Sequence, residues 1–133
     1  MRRLRLTGQG IYALARPMQR VEMDEHCVDL ISIFKEGGLL DFFSAEERKR
    51  LGLDGKKGRW WWTVAICATT RCIVGMRLSR TPTRHSALET LQMMMTEKSE
   101  WADAVHALSP WKMFGMPELL VTDNGSAFKS FEF

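Results

Sequence analysis

Residues 60–79 read Trp60-Trp-Trp-Thr-Val-Ala-Ile-Cys-Ala68, then Thr69-Thr70-Arg71, then Cys72-Ile-Val-Gly-Met-Arg-Leu-Ser79. Both flanks are rich in aromatic and β-branched side chains, which suit a pleated, half-buried surface. The polar triplet between them supplies a tight turn, so the stretch predicts an antiparallel hairpin. At Thr81-Pro82-Thr83 the pattern changes. Pro82 suits a first helical turn, and Ser86 with Glu89 has the spacing of a capping box. Leu88, Leu91 and Met95 then recur on one helical face, which Ala87 and Met94 widen. This predicts a helix over 83–98 whose Met-rich face belongs to the core.

Working outward, Val21 to Phe34 is apolar but interrupted by Asp24, Glu25, His26 and Asp29, and it predicts one long first strand. Residues 35–58 break that pattern with Gly37-Gly38, an amphipathic piece from Leu39 to Leu51, and Asp54-Gly-Lys-Lys-Gly58. They read as a surface insertion holding a short helix. Downstream, a helical stretch around Trp101 to Leu108 precedes Ser109-Pro110. A short strand, Glu118 to Thr122, then ends in the polar turn Asp123-Asn124-Gly125.

The order is strand, insertion, strand, strand, helix, strand. This predicts an α/β fold with a mixed sheet: three antiparallel strands, a crossover helix, and a fourth strand parallel to the first. A right-handed crossover satisfies that order. It also brings Asp24 and Asp123 onto neighbouring strands.

Composition bounds the rest. With 133 residues, 45% of them hydrophobic and 26% charged, the chain has the length of one domain and is neither disordered throughout nor fibrous. The longest apolar run, Trp60 to Ala68, covers nine residues and includes Thr63, far short of a membrane span. Residues 1–20 hold five arginines (Arg2, Arg3, Arg5, Arg16 and Arg20) and no acid, whereas the remainder is slightly acidic. Residues 1–20 therefore read as a basic, flexible leader, either a phosphate-contacting arm or a solvated terminus. Its apolar run, Ile11 to Ala15, is too short for a secretory core segment. The three cysteines, Cys27, Cys67 and Cys72, are odd in number and contain no C-x-x-C, which argues against a disulfide framework and a zinc site. A reducing, cytoplasmic location is expected.

Two carboxylates converging on adjacent strands make an oxygen site for a hard divalent cation such as Mg²⁺. Taken singly, Asp123 is ordinary turn chemistry and Asp24 an exposed strand residue. Glu25, next to Asp24 on a strand, is expected on the opposite face. His26 is near enough to touch a metal or DNA, but equally reads as a surface residue. Trp60, Trp61 and Trp62 are expected to pack rather than stack on bases. Arg48-Lys49-Arg50, with Lys56 and Lys57, reads either as phosphate contacts or as a solvated insertion.

These residues carry a resemblance. Val21-Glu-Met-Asp24, Gly58-Arg-Trp-Trp-Trp-Thr-Val-Ala-Ile66, Thr69-Thr-Arg-Cys-Ile-Val-Gly75 and, most specifically, Gly115-Met-Pro-Glu-Leu-Leu-Val-Thr-Asp-Asn-Gly-Ser-Ala-Phe128 resemble the strand and aspartate motifs of the integrase catalytic core of the retroviral-type integrase and Mu-type transposase superfamily. The resemblance covers about residues 20–130. It implies an RNase H-like fold, a D,D,E set of metal ligands, and Mg²⁺- or Mn²⁺-dependent cleavage and joining of DNA. Asp24 and Asp123 match its two aspartates as catalytic and metal-binding residues, and Asn124 and Gly125 match the turn that follows, close to nucleic acid. The third acid has no counterpart, since Glu132 lies too close to Asp123. The expectation is a C-terminally truncated core, 21–133, inactive alone, with DNA as partner and a transposase oligomer or complementing chain as protein partner. The alternatives are a non-catalytic DNA-binding or interaction remnant and another RNase H-like nuclease.

Overall fold

The computed structural model describes residues 14–55 and 58–123. The chain enters the fold before residue 21: Met18 is buried in the core and Arg20 opens the first strand. That strand, β1 (Arg20–Asp29), ends earlier than the apolar run suggests, because Leu30 to Phe34 belong to a helix, α1 (Leu30–Glu36). Asp29 makes the switch. Its carboxylate accepts hydrogen bonds from the backbone N–H groups of Ile31, Ser32 and Gly58 and from the Ser32 hydroxyl. A continuous apolar run cannot distinguish strand from buried helix by periodicity, and the cap is the signal that does.

The stretch expected as an insertion contains a 3₁₀ turn (Leu40–Phe42) and α2 (Ala45–Arg50). Ser44 and Glu47 cap α2 reciprocally, and all three residues of its last turn are basic, which suits the negative end of the helix dipole. The segment is tied down by a small cluster of Leu30, Ile31 and Leu53, packed against Val28, Phe34, Leu40, Leu51 and Trp60.

The expected hairpin is present as β2 (Arg59–Cys67) and β3 (Ile73–Ser79), antiparallel, with a register irregularity between Ala65 and Ile66. The crossover helix α3 (Arg84–Met95) is capped one turn earlier than expected, by Thr83 with Ser86 rather than by Ser86 with Glu89. Its buried face is rotated from the expected one: Ala87, Leu91 and Met94 pack on the core as expected, but Leu88 and Met95 do not. Ser86, Ala87, Thr90 and Met94 are buried, whereas Leu88 and Met95 are exposed. The cause is Gly75: a Cβ built there would lie 2.6 Å from the Thr90 carbonyl oxygen and 3.2 Å from the Met94 nitrogen. Helix backbone therefore sits directly on strand backbone, with Thr90 and Met94 at the contact.

Short helix α4 (Ser99–Ala104) follows, and then β4 (Leu119–Thr122). Lys98 joins the two helices. Its side chain is fully buried, and its ammonium donates to the carbonyls of Met93 and Thr96 at the end of α3, 5.5 Å from the Trp111 ring centroid.

The sheet order is β3-β2-β1-β4, with β1 antiparallel to β2 and parallel to β4. The mixed α/β sheet expected from the element order is thus observed. The main core lies between the sheet and α3. It is built from Met18, Val21, Met23, Ala65, Cys67, Val74, Ala87 and Met94, with Leu91, Met113 and Leu120 at its margin. Elsewhere, Val28, Leu30, Ile33, Trp62, Met76, Leu78, Met93 and Trp101 line an apolar groove of about 720 Å³. All three cysteines are free thiols. Among the described residues no helix is long and apolar enough to cross a membrane.

Candidate functional site

Parallel pairing of β4 with β1 aligns Leu120 with Val21 and Thr122 with Met23. Asp24 follows Met23 on β1 and Asp123 follows Thr122 just past the end of β4, so the two aspartates singled out in the sequence lie one step beyond the last paired residues. Both are exposed. Asp24 projects from the face that also carries its cross-strand partner Val64, while Val21 and Met23 alternate into the main core. One Asp24 oxygen accepts the Glu25 backbone N–H at 2.8 Å, and the other lies 3.3 Å from His26 Nε2. His26 is therefore a neighbour of the aspartate, in side-chain contact although two residues away on the strand.

Glu25 behaves differently. It pairs in register with Thr63, which is fully buried. Its Oε1 is shut off from solvent with no hydrogen-bond partner among the described residues. The carboxyl is held above the ordinary glutamate range, first by burial, then by the negative charges of Asp123 and Asp24. That coupling follows from the same β1–β4 register, and strand alternation keeps Glu25 off the face that Asp24 uses. Among the described residues, no three His, Cys, Asp or Glu side chains converge as a metal-binding group. The other sequence candidates in this region, Asn124 and Gly125, lie outside the described residues, as do the leader arginines Arg2, Arg3 and Arg5.

Of the three tryptophans, Trp60 packs as expected. Trp60 belongs to the Leu30–Leu53 cluster and donates its indole N–H to the Leu51 carbonyl at 3.2 Å, and Trp62 lines the apolar groove. What the sequence reading missed is the partner of Trp60: Arg80, whose guanidinium lies 5.8 Å from the ring centroid. A separation of twenty residues across a hairpin leaves no local pattern to read.

Comparison with family models gives a match to the TnsB C-terminal domain over residues 42–133, more than half of the chain. The chain belongs to that family. This corrects the resemblance to an integrase catalytic core: the model that matches is the TnsB C-terminal domain, and what stands is kinship with transposases. The correction has a physical origin. A strand followed by Asp-Asn-Gly is a short motif, and a sheet edge with two aspartates is compatible with more than one family. The matched span contains Asp123 and begins after Asp24. No curated protein matches the chain.

Proposed function

We propose that this chain is a transposase-related DNA-binding module that does not cleave DNA by itself. The family match over residues 42–133 carries the reading. The carboxylate inventory supports it: Asp24 and Asp123 are adjacent, Glu25 is turned away and raised in pKa, and no third acid joins them among the described residues. The strand order β3-β2-β1-β4, with β4 parallel to β1, supports reading the sheet as RNase H-like in topology.

Two exposed aspartates suit Mg²⁺ or Mn²⁺, because such ions accept one or two protein carboxylates and retain several waters. Asp24 and Asp123 are the residues that would hold the ion, and Asn124 and Gly125 would lie next to the nucleic acid. A bound ion there would supply positive charge for a DNA phosphate beside an otherwise acidic edge. Binding of DNA itself rests on the chain's basic side chains, so it persists without a divalent ion.

The test is fluorescence anisotropy of a labelled DNA duplex with the full chain, in EDTA and in Mn²⁺. Wild type and the Asp24→Asn/Asp123→Asn double variant are both expected to bind in EDTA and to weaken as salt rises. The double variant is expected to lose the Mn²⁺ response. Absence of duplex binding by wild type at low salt would refute the proposal.

A further inference from the structure

The segment from Arg48 to Arg59 carries six bases, Arg48, Lys49, Arg50, Lys56, Lys57 and Arg59, against a single acid, Asp54. The fold adds Arg80 to this segment from the far end of β3. Arg80 lies over the turn that ends α2: a Cβ on Gly52 would come within 1.8 Å of its Nη2 and 3.0 Å of its Cζ. Gly52 has φ +68°, so the backbone here favours glycine, and the bare Cα leaves room for the guanidinium lying across it. Beneath the guanidinium is the Trp60 ring, fixed to the same turn by its indole hydrogen bond to Leu51. A guanidinium within cation–π range of an aromatic ring is partly oriented by it, which suits phosphate recognition.

Arg16 pairs with Glu118, Arg20 with Glu22, Arg77 with Glu89, and Arg48 with Asp41. Among the described residues, Lys49, Arg50, Arg59 and Arg80 have no carboxylate within 4.0 Å. Among the described residues, bases without an ion pair occur elsewhere too, Lys35, Arg71, Arg84 and Lys112 among them, but this end of the sheet holds several close together in the sequence. Of the acids nearest in sequence, Glu46 and Glu47 share a surface hollow with Arg50, whose charge helps to lower the Glu47 carboxyl, while the main engagements of Glu47 and Asp29 are hydrogen bonds. Glu47 accepts the Ser44 N–H in the capping box, and Asp29, opposite Arg59 in the β1–β2 register, accepts from Gly58, Ile31 and Ser32. The carboxyls of Asp29 and Glu47 are both held below their ordinary range. Burial works against this at Asp29, where hydrogen bonds from Ser32, Gly58 and Ile31 outweigh it; at Glu47 the Ser44 hydrogen bonds dominate.

We propose that this end of the molecule, where the end of α2, the start of β2 and the end of β3 meet, is a phosphate-contacting surface for duplex DNA, with Lys49, Arg50 and Arg80 as its contacts. The proposal rests on the DNA-binding reading and locates it. The acidic Asp24–Asp123 edge is not part of this surface. The duplex backbone approaches the α2 turn, and Arg80, lying across Gly52 and over Trp60, is the contact with an aromatic partner.

The experiment measures the salt dependence of anisotropy for a fluorescein-labelled duplex with the full chain in EDTA. Each lost phosphate contact removes about 0.9 from the slope of log K against log salt. The Arg50→Gln/Arg80→Gln variant is therefore expected to lower the slope by about 1.8 and the affinity at 0.1 M salt by roughly 60-fold, if only the counterion contribution is lost. Arg71→Gln, in the β2–β3 turn at the opposite end of the hairpin, is expected to leave the slope unchanged. Circular dichroism checks each fold. If Arg80→Gln unfolds the chain, Lys49→Gln/Arg50→Gln on exposed α2 positions supplies the same readout. Wild-type slopes in the Arg50/Arg80 variant, or an equal loss in Arg71→Gln, would overturn this surface while leaving DNA binding intact. Preference for a single strand over the duplex would also overturn it. Failure of wild type to bind any duplex would instead sink the DNA-binding reading.

Discussion

Replacing Gly75 by alanine tests the contact that sets the position of α3. The added methyl would sit 2.6 Å from the Thr90 carbonyl oxygen and 3.2 Å from the Met94 nitrogen, both backbone atoms of the helix. No rotamer change relieves that contact. The helix must shift by several tenths of an ångström, disturbing the packing of Ala87 and Met94 against Val74 and Ala65. Overpacking of this kind costs about 1–3 kcal/mol. For a domain of this length each kcal/mol moves the midpoint by roughly 3–6 °C, so Gly75→Ala is expected to melt roughly 6–12 °C lower, taking the middle of that range. Gly55→Ala is the matched control, because a Cβ there meets nothing within 4 Å and its φ is not in the left-handed region. Thermal melts followed by circular dichroism, with urea midpoints at unchanged m-value, give the comparison. If Gly75→Ala melts with Gly55→Ala, the strand–helix contact does not determine how α3 packs, and the explanation for its rotated face fails.

Three further outcomes follow from the same contacts. Glu25 has its carboxyl raised by burial and then by Asp123 and Asp24, so the folded chain holds that proton more tightly than the unfolded one. Stability is then lost as pH rises from the ordinary glutamate range through the raised value, and Glu25→Gln is expected to melt above wild type at pH 7 but not below about pH 4. Carboxyl chemical-shift titration should also show the Glu25 value falling in Asp123→Asn; no change would argue against β4 lying beside β1. Asp29 has the opposite sign. Its depressed carboxyl contributes stability above the ordinary aspartate range and loses it as pH falls through the depressed value, so Asp29→Ala is expected to melt below wild type at neutral pH and converge with it in acid. Lys98→Met removes the two hydrogen bonds to Met93 and Thr96 at the end of α3, and is expected to cost about 1–3 kcal/mol by urea denaturation.

Much of the sheet was legible because its signals are local. The Trp60–Ser79 hairpin has β-branched and aromatic flanks around a polar turn, and the order of elements permits a fourth strand parallel to the first. That order alone brings Asp24 beside Asp123. Features set by a single tertiary contact were not legible. The end of β1 depends on Asp29 reaching Gly58 on the next strand, and the buried face of α3 depends on Gly75. Lys98 reads as a surface lysine until its two carbonyl partners are known. The pairing of Arg80 with Trp60 and Gly52 joins three parts of the chain that share no sequence pattern. The family was not legible for a related reason: a strand followed by Asp-Asn-Gly is too short a motif to tell one transposase-related family from another, and the match extends over residues 42–133.

On the proposed function, this chain holds DNA without cutting it. Supercoiled plasmid incubated with the full chain in Mg²⁺ or Mn²⁺, and run on agarose with and without prior removal of protein, tests that directly. The expected result is a retarded plasmid that returns to the supercoiled position once the protein is stripped away. Nicked or linear product that disappears in Asp24→Asn and Asp123→Asn would contradict it.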